Sequence, residues 1–74
     1  MTAKPYNGHK NWNHWNVSLW IGNDEALYRL ALRCIHSGNR RQAAETFLEL
    51  VGATHTPDGA PYSLSSVTAA MRGL

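Results

Sequence analysis

The sequence predicts an all-α fold, a compact bundle of about four short helices around a central helical hairpin. Three observations predict it. Apolar residues recur at helical spacing in several segments, capping residues stand ahead of those segments, and glycines follow them. A second reading, α+β with residues 15–21 as a strand, stays open for one segment only.

Residues 1–10 carry Pro5, the pair Asn7-Gly8 and two lysines, which predicts an irregular N-terminal arm. Residues 11–74 form the single helical domain. The stretch from Asn11 to Ile21 has two readings. Trp15, Val17, Leu19 and Ile21 alternate as in a half-buried strand, whereas Trp12, Trp15 and Leu19 follow helical i, i+3, i+4 spacing. A strand needs a partner, and no second strand pattern exists. The helical reading places Asn11 as N-cap and Gly22 as a left-handed terminator, with Trp15 and Leu19 facing inward.

The next element is clearer. Asn23 and Asp24 offer caps, Glu25 puts negative charge in the first turn, and Gly38 stops the helix after His36. Leu27, Leu30, Ala31, Cys34 and Ile35 form its apolar stripe, widened by Tyr28 and Leu32. A third helix follows a short turn, with Asn39 and Gln42 spaced as a capping box. Its core face is Ala43, Ala44, Phe47, Leu48, Leu50 and Val51, and Arg41, Glu45 and Glu49 line the outside. Gly52 ends it. Thr56-Pro57-Asp58-Gly59 is a turn signal. A last helix starts near Ser63, with Tyr62 and Val67 at the staple positions and Leu64, Val67, Met71 and Leu74 as its stripe. Leu30-Ala31, Cys34, Gly38, Ala43, Phe47 and Leu50 resemble part of a tetratricopeptide unit, but one unit makes no solenoid.

Composition narrows the function. The 74 residues are 43% hydrophobic and only 16% charged, with a net charge of +2, which argues against a disordered polyelectrolyte. One cysteine excludes an internal disulfide framework, and no apolar run approaches a membrane span. A core this small rarely supplies more than about 3–5 kcal/mol net, so a homo-oligomer is one way to complete it. No cofactor or metal site is expected: Cys34, His9, His14, His36 and His55 lack ligand spacing. Cys34 and His36 stand about 200° apart on their helix, and no phosphate loop or hydrolase serine motif occurs. The expectation is a protein that is not an enzyme.

Binding remains. Arg29, Arg33 and His36 run along one helical face, and Arg40 and Arg41 open the next helix, an arrangement that could neutralise phosphates. Trp12, Trp15 and Trp20 fall within nine residues, interleaved with asparagines, and tryptophan is enriched at binding hot spots. The expected contact residues are Trp12, Trp20, Arg29, Arg33, Arg40 and Arg41, with Trp20 projecting away from the core.

The stretch Asn11-x-x-x-Trp15-Asn16-Val17-Ser18-Leu19-Trp20-Ile21-Gly22-Asn23-Asp24-Glu25-Ala26-Leu27-Tyr28, followed by Thr56-Pro57-Asp58-Gly59-Ala60-x-Tyr62, resembles a group of small phage and mobile-element proteins with no established activity. The resemblance implies stoichiometric binding of a host or defence protein in the host cytoplasm, as an anti-CRISPR-like inhibitor would act. The alternatives are a small basic nucleic-acid-binding module and a structural homodimer.

Overall fold

The computed structural model describes residues 10–36 and 38–74 and shows an all-α bundle of four helices. These are α1 (Trp12–Asn23), α2 (Glu25–His36), α3 (Arg40–Leu50) and α4 (Leu64–Arg72). Residues 15–21 lie inside α1, so the strand reading of that segment is overturned. The expected arm at 1–10 falls almost wholly outside the described residues.

Caps set the boundaries. The Asn11 side chain accepts from the His14 N–H at 3.0 Å and opens α1. A single residue, Asp24, separates α1 from α2. Its backbone is extended and its N–H closes α1 on the Trp20 carbonyl at 2.9 Å. Its carboxylate then accepts from the Leu27 N–H at 3.0 Å and starts α2. Gly22 is therefore not the left-handed terminator the sequence suggested. An extended aspartate that caps both ways needs no such residue. Asn39 and Gln42 form the expected capping box of α3, and Ser63 and Ser66 form another at α4 that the sequence reading missed.

The helices close a ring in which α1 packs on α2 and α4, and α3 packs on the same two. α1 and α3 thus stand at opposite corners. Phe47, Ile21, Val17 and Val67 are the largest fully buried apolar side chains, and Ala31, Ala43, Ala44, Ala60 and Ala70 let the backbones approach around them. Tyr62 meets Phe47 edge-to-face, with centroids 6.0 Å apart and an interplanar angle of 65°. Cys34 is buried in this core, and burial pushes its thiol up while the Arg33 charge opposes the shift.

Two stripes end differently from the expectation. Leu50, assigned to the core, is 61% exposed because it closes α3 and turns away as Val51 takes the inward position. Leu74 is exposed past the Gly73 cap of α4. The larger correction concerns α1. Its buried residues are Asn16, Val17 and Ile21, whereas Leu19 is 38% exposed and Trp15 half-buried. The inward face lies on nearly the opposite side of the helix, roughly 160–170° round from the Trp15–Leu19 side.

Candidate functional site

The rotation of α1 follows from one polar network. The Thr56-Pro57-Asp58-Gly59 segment folds into a tight turn, with the Gly59 N–H donating to the Thr56 carbonyl at 2.9 Å and the Thr56 N–H to the Ala60 carbonyl at 2.8 Å. Gly59 has φ of 96°, a conformation that disfavours side chains. The turn presents two groups to α1. The Thr56 hydroxyl donates to Asn16 Oδ1 at 2.6 Å and accepts from the Ala60 N–H at 3.0 Å. Asp58 Oδ2 accepts from Asn16 Nδ2 and from Trp20 Nε1, each at 2.9 Å.

Asn16 is 1% exposed and Thr56 4%, so both amide atoms of a buried asparagine are satisfied in one place. Without that turn, burying Asn16 would be costly. With it, Asn16 becomes the residue that fixes which side of α1 faces the core. The two donated hydrogen bonds, Asn16 first and Trp20 second, hold the Asp58 carboxyl below its ordinary value despite some desolvation. His14 adds a tether, its Nε2 lying 2.9 Å from Ser65 Oγ in the first turn of α4.

The expected contact residues divide among the corners of the ring. Trp12 is 37% exposed at the start of α1. Trp20 is half-buried and anchored to Asp58, so it does not project freely as expected. Its neighbours Leu19, Asn23 and Asp24 complete a shallow groove of about 270 Å³. Arg29 and Arg33 are exposed on α2, and Arg40 and Arg41 on α3. Arg29 pairs with Glu25 at 3.5 Å and Arg41 with Glu45 at 3.9 Å, both at i, i+4. Such exposed pairs contribute little to stability but reduce the local positive potential.

The structure therefore separates two surfaces that the sequence reading had joined. One is the outward side of α1. Trp12 and Leu19, seven residues apart, stand within about 20° of each other on it. The helix WNHWNVSLWIGN contains no Asp, Glu, Lys or Arg. The other surface is the charged side of the α2–α3 hairpin. Asn16, Thr56 and Asp58 were missed as a unit. The signal was present, since an asparagine amid apolar helical positions must find a partner.

Among the described residues no group of three His, Cys, Asp or Glu side chains could hold a metal ion, and no helix is long and apolar enough to cross a membrane. His9 lies outside the described residues. No curated protein and no solved structure matches the chain. The model of a family of unknown function, DUF7249, matches residues 2–71, and the chain belongs to that family.

Proposed function

We propose that this protein is a small stoichiometric binding protein that docks the outward side of α1 onto an apolar, uncharged patch of a partner protein and acts by occluding it. The observation that carries this reading is the charge-free helix with Trp12 and Leu19 aligned and more than a third exposed. Scattered exposed apolar residues are normal on a small protein. An aromatic and a leucine in register on a helix without charge match the core of a protein interface, which is poor in charge and rich in aromatics. The groove beside Leu19 and Trp20 adds a recess for one partner side chain. Tyr28, Leu50 and Leu74 are more exposed, but Tyr28 stands beside Arg29, Leu50 beside Glu49 at a helix end, and Leu74 past the end of α4. The ion pairs of Arg29 and Arg41 favour a protein partner over nucleic acid, which would need those guanidinium groups for phosphates. The phage-type resemblance suggests a host or defence protein as the partner.

Tagged wild-type protein and its Leu19→Arg and Trp12→Ala variants, captured from the natural host after nuclease treatment and read by mass spectrometry, test this. Circular dichroism should show all three folded. A partner held by the wild type and lost with Leu19→Arg is the expected result. Equal capture by all three overturns the α1 face. Recovery of only a second copy of the chain replaces the reading with a homodimer, and loss of the captured material on nuclease treatment replaces it with nucleic-acid binding.

A further inference from the structure

A groove of about 400 Å³ lies at the end of the bundle where α2 stops, α3 starts and α4 stops. No residue of α1 lines it. Leu32, Ile35, the buried Met71 and the exposed Leu74 supply its apolar lining, and the exposed His36, Arg40 and Arg72 stand around it. All five acidic residues of the chain, Asp24, Glu25, Glu45, Glu49 and Asp58, lie elsewhere. The groove therefore joins apolar surface to two arginines with no acidic side chain in its lining.

Helix electrostatics explains part of this charge. Arg72 occupies the last turn of α4, where a cation complements the partial negative charge of the helix end. Arg40 is different. It is the first residue of α3, whose first turn holds Arg40 and Arg41 and no acid, the reverse of what the dipole favours. Arg41 has Glu45, but Arg40 has no ion-pair partner among the described residues. Arg40 is exposed and solvated, and a carboxylate arriving there would meet both its guanidinium and the positive end of α3.

The geometry points to a second binding site here, which takes an acidic, apolar peptide segment of a partner protein. One large apolar side chain would occupy the Leu32–Ile35–Met71 surface, and its flanking carboxylates would meet Arg40 and Arg72. An open groove of this kind suits a single anchoring side chain better than a small amphiphile, which binds by being buried over most of its surface. Methionine gives an adaptable floor for such an anchor, and arginine offers bidentate donors for carboxylates.

The test is NMR titration of the labelled protein with a short synthetic peptide carrying one phenylalanine between glutamates, and with the same peptide carrying glutamines. The glutamate peptide should shift the methyl signals of Leu32, Ile35 and Met71, and the glutamine peptide should leave them in place. The exposed double variant Arg40→Gln/Arg72→Gln, with its fold checked by near-ultraviolet circular dichroism, should bind at least about tenfold more weakly. Leu19→Arg should bind as the wild type does, which separates this site from the α1 face. The inference is overturned by unmoved methyl signals, by equal binding of the two peptides, or by full affinity in the double variant. It is also overturned if decanoate or a thymidine oligonucleotide moves those methyl signals and the peptide does not.

Discussion

α1 and α2 are both twelve residues long and adjacent in the chain, yet they expose opposite kinds of surface. α2 is amphipathic in the ordinary way, with Ala31 and Cys34 buried and Glu25, Arg29 and Arg33 outside, so that its one exposed aromatic, Tyr28, sits among charges. α1 has no charge to mark its outer side. It buries an asparagine and exposes a tryptophan and a leucine. α1 is thus oriented by specific hydrogen bonds rather than by partition of polar from apolar residues. Its outward apolar side is what remains after Asn16 has been turned in. A helix held this way can present apolar surface to a partner without losing its place in the fold.

Substitutions on the core side of α1 should destabilise the protein most. Ile21→Ala should cost about 2–5 kcal/mol, comparable with the whole stability of a domain this size, and should leave much of the protein unfolded in urea titration. Leu19→Ala, two residues away, should cost under about 1 kcal/mol. Equal costs would mean that α1 is not two-sided as described.

Next comes the network. Asn16→Ala removes the acceptor of the buried Thr56 hydroxyl and one donor to Asp58, and should cost about 1–3 kcal/mol, seen as a lower melting temperature. A neutral result would show that packing alone orients α1.

The same network predicts a dependence on acid. The hydrogen bonds of Asn16 and Trp20 favour the Asp58 carboxylate, so its folded pKa lies below the ordinary 3.8. The stability it contributes is present above the unfolded value, about 3.9, and is lost as pH falls through the lower folded value. Between neutral pH and about pH 2, the wild type should lose melting temperature more steeply than Asp58→Asn. Parallel curves would contradict this.

The smallest effect belongs to α2. Arg29→Ala breaks an exposed pair with Glu25 and should change stability by no more than about 0.5 kcal/mol, a difference at the limit of chemical denaturation. A larger loss would mean that α2, too, depends on specific polar contacts.

The same contrast explains what was legible in the sequence. The positions of the four helices followed from local chemistry: Asn11, Asn39 and Ser63 cap where their side chains can reach the third residue onward, and Gly52 ends α3 with φ of 74°. The phase of α2 followed from its charges. The phase of α1 did not, because Trp12, Trp15 and Leu19 make an apolar stripe on one side and Val17 and Ile21 make another on the opposite side. It is decided by Thr56 and Asp58, forty and forty-two residues further along. The cationic groove was equally hidden, since three helix ends must meet before Arg40, Arg72 and Met71 share a wall.

Docking of a partner on the outward side of α1, as proposed, can be read in the host itself. The most direct measurement places the photo-crosslinker p-benzoylphenylalanine at Leu19, and separately at Arg33 and Leu50, in protein expressed in its host. Irradiation should give one defined heterologous adduct from the Leu19 position and none from Arg33 or Leu50. An adduct formed from Arg33 or Leu50 with none from Leu19 would contradict the account.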